Sequence, residues 1–241
     1  MKAPAHVGIV GCSAEGAALC YRTFCVEGAA LLGPHAHPEV SMHTHSLRRY
    51  VEALERRDLD GVADLMLDSA DKLARAGAEF LICPDNTIHQ ALDRVLPRSP
   101  LPWLHIAEVV AHEAQARGYA RVGLTGTAWL VQSEVYPQAL KAQGIECLRP
   151  SDADRDEVSR IILDELVYGR VLPESVARLQ AVAMRLQAHG AQALVLGCTE
   201  LPLALNDANT PIPTLDSTRL LARAALRRAI GASPVKAIAS L

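Results

Sequence analysis

A chain of 241 residues, half of them hydrophobic and 21 % charged, has the make-up of a globular protein with a sizeable core, in one large domain or two small ones. Its formal net charge of −3 gives no electrostatic hold on nucleic acid or an anionic membrane, and an aromatic content of 4 % offers no base-stacking platform. The apolar runs are strand-sized, far short of the roughly 20 residues that span a bilayer, and MKAPAHVGIVGCSAEG lacks a signal-peptide core, so a cytoplasmic chain is expected.

VGIVG (7–11) reads as the first strand, and the turn Gly11-Cys12-Ser13-Ala14-Glu15-Gly16 after it offers small residues and backbone N–H groups to an anion. It fits neither GxGxxG nor the P-loop, so a carboxylate suits it better than a nucleotide. HAHPEVSMHTH (35–45) reads as a loop, with His35, His37, His43 and His45 at the surface or a cleft rim; no carboxylate/histidine framework of helical spacing accompanies them, and no metal is expected. Apolar residues at helical spacing predict a helix from Leu59 to Ala76, stopped by Gly77, and AEFLIC (78–83) is a strand. A helix from about Ile88 to Val95, the strand PWLHI (102–106) and a helix from Glu108 to Arg117 ended by Gly118 complete a first half.

The theme then repeats: RVGLTG (121–126), a helix around Ser133 to Gln143, IECLRP (145–150), two helices between Asp154 and His189, AQALVLG (191–197) and PIPTLD (211–216). Alternating strands and helices imply parallel sheets flanked by helices, an α/β fold. The halves superpose in order: Gly8 on Gly123, Gly77 on Gly190 and Pro102 on Pro213, at offsets of 115, 113 and 111 residues. That pattern indicates an internal duplication and two pseudosymmetric lobes, 1–105 with 217–241 and 106–216. STRLLARAALRRAI (217–230) is amphipathic and is expected to pack back on the first lobe, with a homodimer interface as the alternative.

Duplication makes Asp85 and Cys198, each eight residues after its glycine, equivalent strand ends. Ligands of open α/β sheets bind beyond such ends, so the two groups would face each other across a cleft fit for a small acid. Cys198 stands in the polar turn Gly197-Cys198-Thr199-Glu200, where a following helix amino terminus would lower its pKa; alone, it could as well be an inert buried thiol. Asp85, followed by Asn86 and Thr87, could equally cap a helix, and a locally bonded, half-buried His89 is expected beside it. The six cysteines lack CxxC spacing and read as free thiols, and none of the four lysines sits at a strand-end motif, so neither zinc nor pyridoxal phosphate is expected.

VGIVGCSAEG, DNTIH, PWLHI, GLTGT with VYPQAL, RIILDELVYG, GCTELP and PTLDSTRL together resemble the aspartate/glutamate racemase superfamily over nearly the whole chain. The resemblance implies two pseudosymmetric α/β domains with the active site between them, no cofactor, and Cys198 as one of two acid/base residues. It also implies that Asn86, Thr87, Thr127 and Thr199 hold the substrate's carboxylate and amino groups; Ser13, Gly126 and Glu200 complete the expected binding set. The family's other catalytic cysteine precedes the Asn-Thr pair, and here that position is Asp85; Tyr168 stands where some aspartate-specific members carry a lysine.

The expected chemistry is two-base racemisation or epimerisation of a small amino acid or related acid. With reference pKa values of about 3.9 for Asp and 8.5 for Cys, the resting state is Asp⁻/Cys–SH, and the reverse state lies roughly 6 kcal/mol uphill. The protein must narrow that gap, and a directional bias is expected. Decarboxylation with Cys198 as sole proton donor, isomerisation, hydrolysis through Asp85, or simple binding of a small acid are the alternatives.

Overall fold

Both faces of each sheet are covered by helices, and the central strands are therefore short and almost wholly apolar. The structure, a computed structural model, describes residues 3–231. The first half runs β1 (Val7–Gly11), α1 (Ala14–Leu32), β2 (Val40–Thr44), α2 (Leu47–Glu55), α3 (Leu59–Arg75), β3 (Phe80–Ile82), a 3₁₀ turn at Thr87–Ala91, α4 (Leu92–Val95) and β4 (Trp103–Leu104). The rest runs α5 (Ile106–Ala116), β5 (Arg121–Thr125), α6 (Ala128–Gln132), α7 (Val135–Ala142), β6 (Glu146–Leu148), α8 (Asp152–Asp164), α9 (Pro173–Ala188), β7 (Ala193–Leu196), β8 (Thr214–Asp216) and α10 (Ser217–Ala229).

Two four-stranded parallel sheets result, β2-β1-β3-β4 and β6-β5-β7-β8, with the same strand order. The register repeats as well: Gly8 pairs with Leu81 in the first sheet and Gly123 with Leu194 in the second. A Cβ at Gly8 would stand 2.5 Å from Leu81 Cδ2 and 3.1 Å from the Ala78 Cβ, which explains why glycine occupies the middle of that strand. Gly77 and Gly190 end α3 and α9 with the same left-handed φ of +95°, a conformation that favours residues without a Cβ.

Several elements differ from the sequence expectation. The histidine run is not all loop: Val40–Thr44 forms an edge strand paired along the whole of β1. Its side chains are only partly covered or exposed, so it lacks the apolar signature of a buried strand. The helix expected from Ile88 to Val95 is a 3₁₀ turn followed by one turn of α-helix; that expected around 133–143 is α7, with the short α6 standing before it unexpected. Helices α1 and α2 had no sequence expectation; α1 is rich in small residues and has no strong apolar stripe.

α10 buries Leu221, Ala222, Ala225, Leu226 and Ala229 against Val7 and Ile9 of β1, Phe24 of α1, and Phe80 and Ile82 of β3. Arg223 grips Glu27 of α1 through two parallel hydrogen bonds of 2.8 Å, so the last helix is fastened to the first. Among the described residues, no helix is long and apolar enough to cross a membrane. All six cysteines are free.

Candidate active site

The carboxyl ends of β1, β3, β5 and β7 open onto one cleft of about 400 Å³. Asp85, three residues past β3, and Cys198, two past β7, both line it, as do Ser13, Asn86, Thr87, Thr127, Thr199 and Glu200. Gly126 does not. Its Cβ position is filled from the other side, 2.9 Å from Leu130 Cδ2 and 3.1 Å from the Gly197 carbonyl oxygen, so its role is close packing of β5 on the turn after β7.

Two hydroxyl pairs close the cleft floor, and the duplication relates them. Ser13, after β1, meets Thr199, after β7, at 3.0 Å; Thr127, after β5, meets Thr87, after β3, also at 3.0 Å. Ser13 and Thr127 are also the N-caps of α1 and α6, accepting from the Gly16 and Leu130 amides. Asn86 is fixed by both amide ends, Oδ1 accepting from the Tyr136 hydroxyl at 2.6 Å and Nδ2 donating to Ser217 at 3.0 Å, which leaves one N–H for a ligand.

Asp85 sits in an Asx-type turn in which Oδ1 accepts from the amides of Thr87 at 3.1 Å and Ile88 at 3.5 Å. Oδ2 takes no backbone bond. The Asp85 carbonyl accepts from His89 Nδ1 at 2.8 Å, and the Ile106 amide donates to His89 Nε2 at 3.4 Å. His89 is therefore a fully buried, neutral brace, its pKa pushed down to about 3 by burial and then by His105, rather than the half-buried cap expected. Burial, with the Glu200 charge second, raises the Asp85 carboxyl to about 6; the Cys12 thiol and the two amides oppose the rise.

Cys198 donates to Glu200 Oε2 at 2.9 Å, and the Thr199 hydroxyl donates to the same oxygen at 2.6 Å. With its proton spent there, Thr199 accepts from Ser13. One ordered chain thus runs from the Gly16 amide through Ser13 and Thr199 to Glu200. Glu200 is buried, and its Oε1 has no hydrogen-bond partner among the described residues.

The thiol corrects an expectation. No α-helix begins after Cys198, only a turn and a 3₁₀ helix at Leu201–Leu203, so no helix dipole lowers its pKa. Burial, and then the neighbouring Glu200 charge, push the thiol well above its ordinary range.

Sequence reasoning missed four features of the site. Cys12, seen only as part of an anion-binding turn, lines the cleft beside Asp85, its thiol pushed up by burial and by that carboxylate. Gly16 lies against Thr199, where any Cβ would overlap the threonine. Tyr136 and Ser217, which hold Asn86, are 50 and 131 residues from it and carry no local signal. An apolar wall of Leu47, Tyr50, Val51, Leu54, Trp129 and Ile162 faces the polar floor. Glu55, Asp164 and the exposed Tyr168 stand at the rim, and among the described residues no lysine, arginine or histidine lines the cleft.

Residues 9–225 match the family model described as Asp/Glu/Hydantoin racemase. The broad specificity amino-acid racemase RacX of Bacillus subtilis is 27 % identical over 169 residues, which cover 69 % of this chain and 71 % of that protein. The crystal structure of a candidate Asp/Glu racemase from Yersinia pestis superposes with a TM-score of 0.85 at 30 % identity, over 94 % of this chain and 99 % of the other. An aspartate racemase homologue from Pyrococcus horikoshii gives 0.80 at 26 % identity, over 95 % and 100 %. The chain belongs to the Asp/Glu/hydantoin racemase family.

Proposed function

We propose that this protein is a cofactor-free racemase or epimerase of small α-amino acids, with Asp85 and Cys198 as acid and base on opposite faces of the α-carbon. The supporting observation is that equivalent ends of β3 and β7 present a carboxylate and a thiol to the same cleft.

With Asp85 raised to about 6 and Cys198 raised well above its ordinary value, the resting state near neutral pH is Asp85 carboxylate and Cys198 thiol. Asp85 Oδ2 takes the α-proton from one face, the electron pair stays on the α-carbon, and the Cys198 thiol supplies a proton to the other face. This leaves Asp85 protonated and Cys198 as thiolate, and exchange with solvent resets the pair. Glu200 Oε1, the buried acceptor without a partner, suits the substrate ammonium. The hydroxyls of Ser13, Thr87, Thr127 and Thr199 and the remaining Asn86 N–H suit the carboxylate. The described residues of the cleft wall include no cation, which suits a substrate whose side chain is not acidic. Two enantiomers in water have an equilibrium constant of one, so a directional bias appears in kcat and in isotope partitioning, not in the ratio of kcat/KM values.

Incubation in D₂O tests this directly. Deuterium should enter the α-position of a neutral or basic amino acid as it inverts, while aspartate and glutamate exchange poorly. No exchange across a broad amino-acid panel would refute the reading. The raised thiol pKa favours a second reading, in which Cys198 alone protonates a carbanion left by decarboxylation. CO₂ release from a malonate-type acid without α-exchange would select it.

A further inference from the structure

His43 on β2 and His45 just after it are two positions apart on an extended segment and therefore point to the same side. α3 brings Asp68 to them, so that ligand atoms of all three lie within 4.8 Å of one another. None of the three lines the cleft.

The local chemistry prepares these groups for a cation. Ser69 donates its only hydroxyl proton to the Leu65 carbonyl at 3.1 Å, so it must accept from His43 Nδ1–H at 2.9 Å. That fixes the His43 tautomer with a lone pair on Nε2, the outer-shell support typical of a metal-bound imidazole. The His45 side chain is 10 % exposed, and its Nε2 lies 2.8 Å from Asp68 Oδ2 yet has no aligned hydrogen bond. The two rings meet edge to face at 4.9 Å.

We propose that His43, His45 and Asp68 form a binding site for a divalent transition-metal ion of the zinc class, fastening the edge strand β2 to α3. Two imidazoles and one carboxylate match that class of ion better than calcium or magnesium. Two cations now use the same ligands: Lys72 Nζ lies 2.5 Å from Asp68 Oδ2, and Arg49 Nη1 donates to His45 Nδ1 at 3.0 Å. Metal entry displaces both side chains and moves the His45 proton from Nε2 to Nδ1, with no net proton release. The ion would stand one side chain from the cleft, because the His45 ring lies 6.5 Å from Tyr50 of the apolar wall.

Co²⁺ absorption spectra, and Zn²⁺ competition against a chromogenic chelator, test the site on the full chain. Wild type should bind one ion with a spectrum of mixed nitrogen and oxygen ligation. His45→Ala and Asp68→Asn should each weaken binding about 100-fold, and Ser69→Ala about 10-fold. Lys72→Met, a change at a partly exposed position that leaves the fold intact, should tighten it several-fold. Absence of binding, binding that survives both ligand substitutions, a sulfur-to-metal charge-transfer band implicating the cleft thiols, or indifference to Lys72→Met would each overturn the proposal.

Discussion

The turns after β3 and β7 occupy the same place in two copies of one lobe, and they solve the same problem with opposite chemistry. Past β3 a carboxylate faces the cleft and the neighbouring strand end supplies a thiol, Cys12. Past β7 a thiol faces the cleft, and a carboxylate, Glu200, stands two residues on. Each side therefore holds one thiol and one carboxylate with their order exchanged. The two carboxylates raise each other's neighbours: Glu200 lifts both Asp85 and Cys198, and Asp85 lifts Cys12. A duplicated fold thus supplies two equivalent positions, while the residues placed there decide which side carries the carboxylate and which the thiol.

Removing the thiol is the most severe way to break the comparison. Cys198→Ala should lower turnover by 10³-fold or more and abolish inversion, because it removes the thiol assigned to protonate one face of the α-carbon; the roughly 10²–10⁴-fold worth of a positioned acid or base sets the scale. Chiral chromatography of the product checks it.

Asp85→Asn should cost about 10²–10³-fold in turnover while leaving Cys198 in place. The same change should stabilise the fold. The Asp85 pKa is raised to about 6, above its unfolded value of about 3.9, so the folded chain holds that proton more tightly. Its contribution is intact below about pH 4 and is lost as pH rises through about 6, a penalty on the order of 3 kcal/mol at neutral pH. Denaturant unfolding at pH 7.5 should therefore show the Asn variant more stable than wild type, with the difference vanishing towards pH 4. Wild-type activity should also gain a limb near pH 6 that the Asn variant lacks.

Glu200→Gln sharpens the contrast with the smallest effect. Removing the charge that helps to hold the thiol up should raise the rate of Cys198 alkylation at neutral pH above that of wild type. An unchanged alkylation rate would leave burial as the whole cause.

Much of this was legible beforehand. The glycine spacings 8/123 and 77/190 located corresponding strands and helix ends, because a strand that presses on a helix, or a chain that turns with positive φ, demands glycine whatever surrounds it. The apolar runs located the central strands, because both faces of each are buried. Edge strand β2 carries no local signal because it is half-exposed and polar, and the turn Gly197-Cys198-Thr199-Glu200 does not reveal that a 3₁₀ helix rather than an α-helix follows, nor how deeply the thiol is buried.

By itself the sequence determined the alternating plan, the duplication, and the equivalence of Asp85 and Cys198, since these depend on periodicity and turn chemistry that act over a few residues. Only the tertiary structure decided which groups share a proton network. Ser13 and Thr199 are 186 residues apart and Tyr136 and Asn86 are 50 apart, yet each pair touches. Hydrogen bonds and desolvation act over a few ångströms of space, and no local pattern encodes which distant side chain will fill them.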